Sequence, residues 1–151
     1  PPDMLSSKVS KGGPGAVDLA AIERAESVIA NMADDYLDWV EDDLVKIANA
    51  QKELKANRDQ SEHHLDKVFQ VAHDMKGQGG SFGYDLMTIL GNDLCRFIEG
   101  KKTASDVDIE VIDLYISTMQ IVISKRMSGD GGPAGNEVLT GLAAVVAKIT
   151  S

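Results

Sequence analysis

One cysteine, Cys95, stands in a chain of 151 residues, so no disulfide can form within it. The residue reads as a small core or boundary side chain of a cytosolic protein. Prolines number four and aromatic residues make up 5%, a shortage that suits a helical fold. Positive charge is scarce as well: 15 Lys and Arg face 24 Asp and Glu, for a formal net charge of −9. That balance argues against nucleic acid and against anionic membrane surfaces as partners. Neither an apolar run of about 18 residues nor a signal-peptide pattern is found, so the sequence predicts a soluble, cytoplasmic protein. A hydrophobic content of 43% is ordinary for a globular chain, and the length suits one domain with a substantial core.

Residues 1–16 mix Pro, Gly, Ser and Lys without periodicity and read as a flexible tail with Lys8 and Lys11 solvated. Residues 17–127 then carry helical spacing throughout. Between Val17 and Asn57 there is no Pro or Gly, and Ile22, Ala25, Ile29, Met32, Tyr36, Val40, Leu44, Ile47 and Leu54 fall three, four or seven apart. One unbroken helix of that length would span about 60 Å, more than a domain of this size. A break is therefore expected near Asn31–Asp35, where Asn31, Asp34 or Asp35 could cap a new start. The first piece becomes a short extra helix on the bundle. Ser61 reads as the N-cap of the next helix. Leu86, Ile89, Leu90, Leu94, Phe97 and Ile98 mark a further one that stops at Gly100, and Ser105 or Asp106 caps a long one to about Met127. Residues 128–135 read as a flexible Gly/Pro linker. Residues 136–151, with Val138, Leu142, Val145 and Ile149, read as a last amphipathic helix that packs on the bundle, or alternatively binds a second chain. The expectation is an all-α protein: an up-down-up-down four-helix bundle with an extra short N-terminal helix and a C-terminal helix.

The stretch that organises the chain is His73-Asp74-Met75-Lys76-Gly77-Gln78-Gly79-Gly80-Ser81-Phe82-Gly83. Leu65, Val68, Phe69 and Ala72 before it form a buried stripe, and His73 sits about 100° round from Ala72, at the stripe's edge. Three, four and seven residues on come Lys76, Gly77 and Gly80. Glycine inside a helix costs roughly 1 kcal/mol relative to alanine, so Gly77, Gly79 and Gly80 oppose the helix and something should offset them. One explanation is access to the His73 ring for another protein's backbone or active-site rim. Two others stay open: close helix packing, or a helix that simply ends at Gly79 and Gly80. Lys76, one turn from His73, would attract an incoming phosphoryl group toward a nucleophilic imidazole.

His73-x-x-Lys76-Gly77, then Gly80 and Phe82-Gly83, resembles the signature of histidine-containing phosphotransfer domains, including the one at the head of chemotaxis histidine kinases. The similarity is dense from Val71 to Leu94; outside it, only the helical pattern agrees. The resemblance implies that His73 accepts a phosphoryl group on its outer ring nitrogen from a phospho-aspartate of a response-regulator receiver domain, or returns one. It implies that Lys76 steadies the phosphoryl oxygens and that Gly77 and Gly80 leave room for the receiver. Phe69 and Gln70, one turn earlier, and Asp74 complete the expected docking rim. One departure bears on mechanism. Chemotaxis kinase domains of this type carry a second histidine and a glutamate nineteen and twenty-two residues after the phosphorylated one; here those positions are Asn92 and Cys95. A free-standing shuttle between receivers, or from a hybrid histidine kinase, is therefore the expectation. No cofactor of its own is implied; Mg²⁺ is expected on the receiver. The chain is expected to be a monomer.

Competing readings belong to other classes: a non-catalytic helical adaptor that binds receivers without carrying phosphate, and a bundle enzyme with a cofactor between its helices. No P-loop is present, since Gly100-Lys101-Lys102 lacks the upstream glycine and Ser/Thr. No metal site is expected: no histidine has a carboxylate three residues before it. His63 and His64 read as solvent-facing or half-buried. The acidic block Asp34, Asp35, Asp38, Glu41, Asp42 and Asp43 reads as a solvated helix face, and Trp39 reads as buried.

Overall fold

The computed structural model describes residues 13–151, with side chains from Asp18 on. Five α-helices and no strand occur among them: α1 Gly13–Ala56, α2 Ser61–Gly79, α3 Asp85–Ile98, α4 Asp106–Ser124 and α5 Gly132–Thr150. Two short 3₁₀ turns, Arg58–Gln60 and Gly80–Phe82, lead into and out of α2.

The chain divides into two units, residues 1–36 and Leu37–Ser151. In the first, the described residues are helical throughout, and Val28, Ile29 and Met32 are exposed. The break expected at Asn31–Asp35 does not occur, and there is no separate short N-terminal helix: α1 runs unbroken for 44 residues. The argument for a break assumed that the whole helix must lie on a domain. With residues 18–35 largely exposed, no packing forces one, and the segment holds no Gly or Pro to stop it. The tail expected over residues 1–16 falls mostly outside the described residues, and helix already begins at Gly13.

In the second unit the helices bury one face each. Leu54, Leu65, Leu90, Leu94, Ile112 and Met119 are among the side chains that lose all or nearly all contact with water. Polar contacts fix α1 against α4: the buried Gln51 amide donates to the Ile109 carbonyl and to Asp113 Oδ1, both at 3.1 Å, and Lys55 pairs with Asp113 at 2.8 Å. Beyond the end of α1, Arg58 donates to the Ala104 carbonyl and meets Asp106 at 3.0 Å. Ser105 caps α4 as a reciprocal box. Its hydroxyl accepts from the Asp108 N–H while the Asp108 carboxylate accepts from the Ser105 N–H, which satisfies two orphan donors of the first turn. Ser61, by contrast, is the first residue of α2 and not its cap; its hydroxyl donates back to the Arg58 carbonyl of the preceding turn.

The segment expected as a linker over 128–135 is shorter and is tied down. Gly132 to Gly135 form the first turn of α5 with Pro133 at its start, where a missing N–H costs nothing. Before it, the Gly129 N–H donates to the Gly83 carbonyl and the Gly129 carbonyl accepts from the Leu86 N–H. Gly83 holds the left-handed conformation, φ +82°, that the turn between α2 and α3 needs. Helix α5 lies against α4 and buries Leu142 and Gly135.

Helices α2 and α3 pack closely along their length. A Cβ on Gly91 would stand 3.0 Å from the Ala72 carbonyl oxygen and 3.0 Å from Lys76 Cβ, and one on Gly79 would stand 2.9 Å from both the Thr88 nitrogen and the Tyr84 oxygen. Thr88 Oγ1 donates to the Lys76 carbonyl at 3.1 Å, and Cys95 Sγ lies 3.9 Å from the Phe69 carbonyl. Thr88, Gly91 and Cys95 thus present small groups, one per turn, to the backbone of Lys76, Ala72 and Phe69. Gly91→Ala and Gly79→Ala are each expected to destabilise the fold by about 1–3 kcal/mol through overpacking. Gly77→Ala, whose Cβ meets nothing within 4 Å, is expected to raise stability by up to about 1 kcal/mol. Thermal melts of the three variants check this opposition of sign.

Candidate functional site

His73 lies on α2, exposed, with Ala72 and Met75 on either side of it buried. Its ring stacks on Phe69, one turn earlier, with centroids 6.0 Å apart and planes 28° apart. That contact orients the imidazole without covering it. One turn later Gly77 is exposed, and the space where its side chain would stand is open. Gly80 lies in the 3₁₀ turn, exposed, with Thr88 Oγ1 at 3.4 Å from an added Cβ. The three glycines therefore divide: Gly79 serves packing, Gly77 leaves the surface clear, and Gly80 borders both.

Lys76 is half-buried, its stem pressed against Gly91. No ion pair to it is found among the described residues, so its ammonium is not neutralised by a carboxylate there. Asp74 is exposed on the side of His73 that faces α1, where its charge is felt by Asp43. Gln70 is exposed and lines a shallow groove of about 480 Å³ between α1 and α2 with Lys46, Ala50, Lys67 and Val71. Phe69, His73, Lys76, Gly77 and Gly80 share one face of the histidine helix; Gln70 and Asp74 stand on the adjoining row.

Asn92 and Cys95 lie on α3. Burial pushes the Cys95 thiol up, with Lys76 opposing, which leaves a neutral thiol against the Phe69 carbonyl. No carboxylate occupies either position to relay a proton. His63 is exposed, whereas His64 is buried, contrary to expectation, its Nδ1 without a hydrogen-bond partner. Among the described residues no cluster of three or more His, Cys, Asp or Glu is arranged to hold a metal ion, and no helix is long and apolar enough to cross a membrane.

Two features escaped the reading of the sequence. The seam of Thr88, Gly91 and Cys95 that carries α2 was visible only as small residues three and four apart on α3. Trp39, expected inside, is 49% exposed and stands edge-on to Phe82, with centroids 5.8 Å apart and planes at 82°.

The family model for the Hpt domain matches residues 31–122, a span that takes in His73, both walls of its helix and most of the second unit. The chain belongs to the Hpt domain family. Hpt domains perform histidine phosphotransfer in phosphorelay signalling and interact with response-regulator receiver and kinase domains. No curated protein and no solved structure matches the chain.

Around this Hpt histidine the charge is uneven. Burial raises the Asp43 carboxyl above its ordinary value; Lys46, 3.8 Å away, lowers it, and Asp74 and Asp42 raise it again. A carboxyl raised on folding costs stability when ionised, and the cost fades as pH falls through its folded value toward the unfolded one near about 4. Asp43→Asn is accordingly expected to melt higher than the parent at pH 7, with the difference shrinking toward pH 4. Paired melting curves at the two pH values test this.

Proposed function

We propose that His73 is the phosphoacceptor of a shuttle that carries a phosphoryl group between response-regulator receiver domains, one of which belongs in some cases to a hybrid histidine kinase. The observation that carries this reading is the exposed His73 ring, held against Phe69 on a helix clamped along its α3 side, with open space one turn on at Gly77.

The receiver approaches over Gly77 and Gly80 and brings its phospho-aspartate in line with the ring. The lone pair of His73 Nε2 attacks phosphorus, the bond from phosphorus to the aspartyl oxygen breaks, and the carboxylate leaves with that electron pair. The reverse sequence returns the group. Such a transfer needs chiefly positioning and charge compensation. The rigid α2–α3 seam supplies the first. Lys76, free of a carboxylate partner among the described residues, shares the second with the Mg²⁺ expected on the receiver. The chain itself contributes no cofactor. With Asn92 and Cys95 in place of a histidine and a carboxylate, the phosphoryl group comes from a receiver rather than from a kinase domain acting directly. We further place α1 from Leu37 with α2, α3 and α4 as an up-down-up-down bundle, and read the protein as a cytoplasmic monomer.

Incubation with a phosphorylated receiver domain is expected to give acid-labile, base-stable label on the parent protein and none on His73→Gln. Lys76→Ala should keep the label but slow its transfer by roughly tenfold or more, as loss of a charge-stabilising group does. Label that persists in His73→Gln, or a parent protein labelled by no receiver of the same genome, overturns the reading in favour of a non-catalytic adaptor.

A further inference from the structure

Trp39 is the chain's one tryptophan, and α1 leaves it half in water beside Phe82, which follows directly on the histidine helix. An indole supported by a second ring and open on its outer side is the kind of group that anchors protein interfaces. One turn along α1 come Asp42 and Asp43, and Asp74 lies close enough across the α1–α2 boundary to act on Asp43. Asp42 and Asp74 thus both act on the half-buried Asp43, against Lys46 at 3.8 Å, and a cationic partner would offset their charge. Further along the same boundary the groove beside Gln70 begins. Phe82 lies nine residues beyond His73, about 14–15 Å along the helix axis. A standard interface of about 800 Å² per partner reaches roughly 16 Å from its centre. Along the axis, a footprint centred on His73 therefore reaches as far as Phe82, which carries Trp39 beside it, and Asp74 is the next residue to His73.

We propose that the α1–α2 edge bounded by Trp39, Phe82, Asp42, Asp43 and Asp74 selects the receiver: an apolar pocket on the receiver takes the Trp39 indole, and cationic side chains around that pocket meet the three carboxylates. This rests on the reading of His73 as the phosphoryl carrier and adds to it a partner chemistry, a receiver whose docking rim is basic.

The test compares two donors for the same histidine. Phosphoramidate is small and needs no docking; a phosphorylated receiver with a basic rim needs it. For Trp39→Ala, the ratio of receiver-driven to phosphoramidate-driven labelling at sub-saturating receiver should fall at least tenfold. Trp39→Phe should keep half or more of it, and Asp42→Lys should lower it several-fold and weaken its salt dependence. Addition of the unphosphorylated receiver should change the Trp39 fluorescence. A ratio that stays within twofold in Trp39→Ala and Asp42→Lys overturns the docking edge while leaving the carrier intact. A parent protein labelled by neither donor overturns the carrier, and the fluorescence titration still judges the edge. If Trp39→Ala turns a dimer into a monomer in sedimentation, the edge belongs to a second copy of the chain and the proposal fails.

Discussion

The distance between α2 and α3 is the constraint on which the site depends. At Gly91 and Gly79 the two backbones approach until a single methyl group would collide with main-chain atoms, and Thr88 and the Lys76 carbonyl close the seam with a hydrogen bond. Helices that meet through backbone rather than through long side chains have little freedom to slide or rotate. His73 inherits that stiffness. Its ring projects beside a seam that holds the helix at three successive turns, so the orienting contact with Phe69 acts on a fixed base. Precision is obtained here without enclosing the imidazole, which a protein partner has to reach.

Charge and packing share this region unequally. Toward α3 the histidine helix carries the half-buried Lys76 and meets the neutral thiol of Cys95. Toward α1 lie Asp74, Asp42 and Asp43. In the transfer we propose, a phosphoryl group enters along the row of Lys76 and Gly77, and the acids of α1 stand apart from it. On that proposal the two sides of one helix divide the chemistry from the recognition.

Much of this was written in local patterns. Apolar spacing gave α2, α3 and α4, Ser105 was one of the two residues expected to cap α4, and the run from His73 to Gly83 carried the resemblance to the family. What was not legible depends on partners distant in sequence. Gly91 looks like an isolated weak point in a helix until the Ala72 and Lys76 backbones are set against it. Trp39 has the composition of a core residue, and only the position of Phe82 reveals that it stays outside. The length of α1 was misjudged for another reason: nothing between Val17 and Asn57 stops a helix, and an expectation about domain size was allowed to outweigh that silence.

The pairing of Gly129 with Gly83 and Leu86 ties the segment after α4 to the turn that closes the histidine helix. That turn is thus completed only by the segment that follows α4. A chain cut short before Gly129 would keep every residue of the site and leave the turn behind His73 without two of its backbone bonds.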